Sequence, residues 1–219
     1  ISTGAAPSVS GIVSNDWYVP GEPEGQRVYC GDAALLRVPT LADQVVDSRG
    51  KVAALSLKDR GAKMLGGTRA TLVSWYDRDA GGFTAPFADL DLGKWQAMEW
   101  TALHPELYTE RVGPDAGPYE SDRGAGTTFP HPPGQFMATP FAGSALTDAA
   151  IAAVDSLALG ADEQPDLLAI SYSQIDYIGH TYTSESWEAF DGMIRLDLDL
   201  GRLFDHLDAA IGADAYAVI

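Results

Sequence analysis

Two short runs in this chain are apolar at nearly every position: Val52-Ala-Ala-Leu-Ser-Leu57 and Asp166-Leu-Leu-Ala-Ile-Ser-Tyr172. A strand with one wet face alternates polar and apolar residues. Runs without alternation are expected where both faces are covered, as in a parallel sheet with helices on each side. Around these runs the period changes. Thr40 reads as an N-cap and Asp43 as its capping-box partner, with Leu41, Val45 and Val46 near helical spacing in a helix ending near Gly50. Thr147 reads as the cap of a second helix running to about Leu159. Ser186 opens a longer one, in which Leu196, Leu200, Leu203 and Leu207 recur on one face. Thr71–Tyr76 reads as a further strand turning at Asp77–Gly82, and Tyr216–Ile219 as a strand at its start.

Alternating helices and strands of this kind predict an α/β fold, a mainly parallel sheet sandwiched by helices. Residues 1–30, rich in Gly, Ser and Pro, read as a turn-rich opening segment. The Pro-, Gly- and aromatic-rich text from Phe83 to Pro140 reads as an inserted cap. The organisation expected is a first part of the core over 1–82, the cap over 83–140 and a second part of the core over 141–219.

Charge narrows the partners. With 14 Lys plus Arg against 31 Asp plus Glu, the net charge of the 219 residues is −17, which argues against a nucleic-acid or anionic-membrane binder. A phosphate-bearing substrate would have to be captured by a local site. One cysteine, Cys30, excludes an internal disulfide and a Cys-cluster zinc site, and no apolar run is long enough to span a membrane. Gly-rich P-loop and dinucleotide patterns and a Gly-x-Ser-x-Gly elbow are absent.

In α/β sheets, ligands gather at the carboxyl ends of strands. The first apolar run ends in Lys58-Asp59-Arg60. If extended geometry persists past Leu57, Lys58 and Arg60 share a side, where an ammonium and a planar guanidinium suit the oxygens of a phosphoryl group. The same triplet is also what solvent-facing charges at a loop tip look like. The second run leads into Asp176-Tyr-Ile-Gly-His180, whose carboxylate and imidazole are both good zinc ligands, with Gly179 allowing a turn that brings them together. An Asp capping a turn beside a surface His has the same spelling. Asn15, the only Asn in the chain, offers an uncharged donor where a carboxylate would repel an anion, or is simply a turn residue. His104, His131 and His206 lack ligand partners at metal spacing.

Taken together, "STGAAPSVSGIVSNDWY" (2–18), "SLKDRGAKMLGG" (56–67), "SWYDRDAGGF" (74–83), "TPFAGSALTD" (139–148), "SYSQIDYIGH" (171–180) and "SESWEAFDGMIRLD" (184–197) resemble the alkaline phosphatase superfamily. The likeness is to its phosphate-irrepressible branch, close to the type I phosphodiesterase/nucleotide pyrophosphatases. The resemblance implies an alkaline phosphatase-like fold and zinc-dependent hydrolysis of small phosphate monoesters through a phosphorylated Thr or Ser. It implies Asp176 and His180 as ligands of one of two zinc ions, and Lys58, Arg60 and Asn15 around the non-bridging phosphoryl oxygens. It further implies a periplasmic or secreted enzyme, with a monomer expected. Diester or nucleotide pyrophosphate hydrolysis, and a non-catalytic metal- or phosphate-binding remnant, are the alternatives.

The chain also departs from the family pattern. Ser10 and Thr183-Ser184 stand where the family usually has His and Gly-Pro. The family's Thr-Gly-Pro-Gly-His-like nucleophile stretch would precede Ile1, and its Asp-His-Gly ligand set would follow Ile219. The resemblance therefore implies the interior of a longer enzyme, unable to form the phosphoenzyme by itself.

Overall fold

The computed structural model describes residues 2–19, 25–118, 120, 122 and 124–219, so the part of the opening segment at 20–24 lies outside the described residues. In chain order come α1 (Pro7–Ser10), β1 (Asp16–Tyr18), β2 (Arg27–Tyr29), α2 (Leu41–Asp47), β3 (Val52–Ser56), α3 (Asp59–Gly66), β4 (Leu72–Asp77) and β5 (Gly82–Phe83). Then follow α4 (Gly93–Gln96), α5 (Pro105–Arg111), α6 (Pro140–Leu157), β6 (Leu167–Ser171), α7 (Gln174–Tyr182) and α8 (Trp187–Ala210). The contacts divide the chain into two compact units, Ile1–Ala88 with Ala152–Ser171, and Asp89–Ile151 with Tyr172–Ile219.

The first unit holds a sheet ordered β5-β4-β3-β6 among the described residues, in which β3 runs parallel to both β4 and β6 while β5 is antiparallel. The expected α/β architecture is present. β3 is central and buried at all of its positions, as its unbroken apolar run requires. β4 alternates buried and half-buried residues. β6 is only half-buried throughout, which corrects the expectation of a strand covered on both faces; it forms the edge of this sheet. β1 and β2 form a separate antiparallel ribbon, pairing Asp16 with Tyr29. At three residues apiece they are too short to show a period. Tyr216–Ile219 forms no strand, and among the described residues no strand pairs with it.

The Thr40 capping box forms as expected. The Thr40 amide donates to Asp43 Oδ2 at 2.8 Å, and Thr40 Oγ1 accepts from the Asp43 amide at 3.2 Å. Thr68 and Arg69 also donate to Asp43, at 3.2 Å and 3.4 Å. Burial pushes the Asp43 carboxyl up, but the Thr40, Thr68 and Arg69 hydrogen bonds outweigh it and hold it below the ordinary range. Gly67 ends α3 at φ +65°, and a Cβ there would meet the Thr40 hydroxyl and stand 2.8 Å from Asp43 Oδ2. Thr40→Ala is expected to lower unfolding free energy by about 1–2 kcal/mol in urea titration.

In the second unit α6 begins at Pro140, so Thr147 is not a cap. Its hydroxyl donates to the Gly143 carbonyl one turn back, at 3.1 Å. Ser186 does cap α8, accepting from the Ala189 amide at 3.1 Å. Trp100, Phe141, Ile178, Tyr182 and Ala189 make an apolar core, while α8 also buries Glu188, Asp191 and Asp199. His131, in the proline-rich text, is buried against Glu188 Oε1 at 2.7 Å. Burial pulls its imidazole down, but the Glu188 hydrogen bond and the Ala125 carbonyl outweigh this and raise it above its usual value. Among the described residues no helix is long and apolar enough to cross a membrane.

Candidate active site

The carboxyl end of β3 delivers Lys58, but the extended geometry stops there. Lys58 is the N-cap of α3, with φ −124° and ψ 131°, while Asp59 and Arg60 already lie in the first helical turn. The alternation argument for a shared side of Lys58 and Arg60 therefore fails. What joins them is a tight strand-to-helix corner. Ser56 Oγ accepts from the Lys58 amide at 3.0 Å, and the Ser56 hydroxyl faces the Ser171 carbonyl at 3.4 Å.

Asn15 sits in the loop leading into β1, and its carbonyl accepts from the Cys30 amide at 2.8 Å. That bond fixes the Asn15 backbone to the end of β2. Asn15 and Arg60 then line one open cavity of about 530 Å³, together with Ser14, Cys30, Gly61 and Met64. Two of the three expected oxyanion-binding residues thus meet at the end of the central strand, and the third, Lys58, is two residues from Arg60 at the corner.

Tyr29 was missed by the sequence reading, which placed it in an undivided turn-rich segment. Its hydroxyl donates to Asp59 Oδ1 at 2.6 Å. Lys63, one turn along α3, contacts Asp59 Oδ2 at 3.3 Å and lies 4.8 Å from the centre of the Trp75 ring. Burial and then the Asp59 hydrogen bond push the Tyr29 phenol up, against the pull of Arg60. Burial also pushes the Asp59 carboxyl up, but the Tyr29 hydroxyl, the Arg60 amide and Lys63 prevail and bring it below its ordinary range. The phenol is therefore a donor and the carboxylate an acceptor around neutral pH. Burial raises the Cys30 thiol against the lowering effect of Arg60, so it is a poor nucleophile there.

Asp176 and His180 belong to the second unit, apart in the chain's division from Asn15, Lys58 and Arg60. They do come together, but not through a turn at Gly179. α7 runs continuously through them, placing the two on successive turns of one face, while Gln174, Ile178 and Tyr182 fill the buried face. The apolar spacing of Ile178 and Tyr182 was the signal for this helix. Asp176 Oδ1 and His180 Nε2 are 3.4 Å apart and both side chains are exposed. Two ligands of a tetrahedral zinc with bonds of about 2.0–2.1 Å stand roughly 3.3–3.4 Å apart, so the pair fits two positions on one ion. Among the described residues no group of three or more His, Cys, Asp or Glu is gathered in this way.

The comparisons with known proteins agree with this architecture. The chain is 33% identical to alkaline phosphatase PhoV of Synechococcus elongatus, across 99% of this chain and 47% of that protein. It is 31% identical to alkaline phosphatase PafA of Elizabethkingia meningoseptica, across 100% of this chain and 48% of that protein. The crystal structure of wild-type PafA matches with a TM-score of 0.86 at 28% identity, covering 96% of this chain and 49% of PafA. A PafA variant matches with a TM-score of 0.88 at 26% identity, at the same coverage of 96% and 49%. The chain spans about half the length of the curated relatives it matches. The family model described as type I phosphodiesterase / nucleotide pyrophosphatase matches residues 1–219, and the chain belongs to that family.

Proposed function

We propose that this chain carries the phosphoryl-binding residues of a zinc-dependent phosphomonoesterase that works through a phosphorylated Thr or Ser. The observation that carries the reading is the cavity shared by Asn15 and Arg60 at the carboxyl end of β3, with Lys58 at the adjoining helix cap. Arg60 presents a planar fork to two non-bridging oxygens, and Lys58 adds a point charge. Asn15 donates from an amide that carries no charge, so it binds an oxygen without repelling the dianion. Charge that develops on those oxygens in the transition state meets donors already in place. Asp176 and His180 would hold a zinc ion, which when bound would supply Lewis-acid charge. In the PafA variant that matches, an Asn, a Lys and an Arg are replaced by Ala and a Thr by Ser, and its Lys and Arg stand two residues apart as Lys58 and Arg60 do. That correspondence supports the assignment.

The reading extends to residues 83–140 as an inserted cap, and to a periplasmic or secreted monomer acting on small phosphate esters. A second reading is hydrolysis of diesters or nucleotide pyrophosphates, favoured by the description of the matching family. The intact protein should hydrolyse p-nitrophenyl phosphate faster than bis-p-nitrophenyl phosphate, lose that activity on chelation and regain it with zinc. Activity surviving exhaustive chelation would remove the metal from the account.

A further inference from the structure

The phosphoryl-binding reading leaves a buried ionisable pair in the second unit without a task. His131 Nε2 and Glu188 Oε1 meet at 2.7 Å, and their side chains are 2% and 0% exposed. The other ring nitrogen, Nδ1, stands 2.9 Å from the Ala125 carbonyl. A carbonyl has no proton to give, so Nδ1 carries one. Two lone pairs facing each other at 2.7 Å away from water would repel, so Nε2 and Oε1 share a second proton. Glu188 lies in the first turn of α8, where a helix end favours negative charge. The proton therefore sits on the ring, and the pair is imidazolium and carboxylate.

This pair joins separate segments. The His131 backbone bonds Trp100 in both directions at 2.9 Å, and its ring reaches back to Ala125, so residues 124–131 gather around it. The rings of Phe129, Tyr182 and Trp100 are centred 4.8 Å, 4.9 Å and 5.5 Å from the imidazole. Tyr182 ends α7 and Glu188 lies at the start of α8, so His131 closes the corner between those helices.

We propose that the His131–Glu188 pair is a pH-sensitive latch: its shared proton holds residues 124–131 to the first turn of α8, and loss of that proton in alkali frees them. Without the proton, Nε2 turns a lone pair toward a carboxylate whose other oxygen, Oε2, is buried with no hydrogen-bond partner among the described residues. A buried charge is then left uncompensated. The other groups that act on the ring cannot replace the proton. Asp115 accepts from the Phe129 amide and Glu120 from the Gly117 amide, each at 2.8 Å, and burial above all raises both carboxyls. The Tyr182 phenol, pushed up to about 12 by burial and then by Glu188, Asp122 and Glu120, stays neutral. Asp122, held low by the Gly124 and Gly126 amides, adds only negative charge. Burial pulls the His131 imidazole down, but the Glu188 hydrogen bond and the Ala125 carbonyl prevail and raise it. The stability supplied by the pair is therefore complete below the ordinary imidazole value and is lost as pH rises through the raised one.

The test is hydrogen–deuterium exchange on the intact protein from about pH 7 to about pH 10, with rates corrected for the intrinsic pH dependence of amide exchange. In the unaltered protein, protection of 124–131 and of the first turn of α8 should fall at least about tenfold, while that of β3 holds. Glu188→Gln puts an amide N–H opposite Nε2 of a neutral ring, so protection in this variant should not vary with pH. His131→Gln, whose amide can donate to Glu188, is the second variant and should behave in the same way. Protection independent of pH in the unaltered protein, a loss shared equally by β3, or an equal loss in either variant overturns the latch. The first two outcomes are read on the unaltered protein alone, so a variant that fails to fold leaves the test standing.

Discussion

Arg60→Ala in the intact protein is expected to lower kcat/KM for a phosphate monoester by about 10²–10³-fold, the loss typical when one preorganised donor to developing negative charge is removed. The expectation comes from position. Arg60 stands at the second residue of α3, half-buried, and lines the same cavity as Asn15. A partly enclosed cation is less screened than exposed surface charges, so its field acts locally in a chain of net charge −17. Interactions that strengthen in the transition state appear in kcat, so most of the loss should lie there and not in KM. Arg60→Lys restores charge without the planar fork and should recover only part of the rate. Steady-state kinetics on the three proteins checks both statements.

The second large effect concerns stability. Asp191→Ala is expected to cost about 3–5 kcal/mol, read as a shift of the denaturant midpoint at constant slope. The Asp191 carboxylate is fully buried and accepts from Trp100 Nε1 at 2.5 Å, the Leu103 amide at 2.8 Å, the Tyr108 hydroxyl at 2.7 Å and Arg195 Nε at 2.6 Å. Burial, and then the Asp191 carboxylate, push the Tyr108 phenol far up, so it remains a donor throughout the working range. Removing the carboxylate strands four donors, among them the Arg195 charge, whose side chain is only 17% exposed. Asp191→Asn keeps an acceptor oxygen but loses the charge opposite Arg195, and its cost should be smaller. A midpoint shift no larger than that of a surface substitution would contradict the role assigned to this cluster.

What could be read in the chain and what could not divide along the range of the interactions involved. The Thr40 and Ser186 caps and β3 depend on residues a few positions apart, and all three form where expected. Thr147 misled because a mid-helix threonine bonding the carbonyl four residues back looks, in one dimension, like a cap. The expected extended geometry past Leu57 does not hold at Lys58 and Arg60, since Asp59 begins a helix and does not continue the strand. Asp176 and His180 lie 3.4 Å apart through helical spacing and not through a turn at Gly179. Asp191 and Glu188 lie in the helix that Ser186 opens, where nothing local marks them as buried. Their partners Trp100, Tyr108 and His131 lie 57 to 91 residues away, and no local period encodes such contacts. Tyr29 was missed for the same reason, being 30 residues from Asp59 and on a strand of only three residues.

The central claim is that the corner at the end of β3 binds a doubly charged phosphoryl group. It is tested most directly by measuring monoester and diester kcat/KM side by side for the intact protein and for Lys58→Ala. A monoester carries one more negative charge on its non-bridging oxygens than a diester, so removing a cation from that corner should depress the monoester rate more. The account predicts that the monoester-to-diester ratio falls at least about tenfold in Lys58→Ala. A dominant diester activity in the unaltered protein, with monoester turnover unchanged in Lys58→Ala, would contradict it.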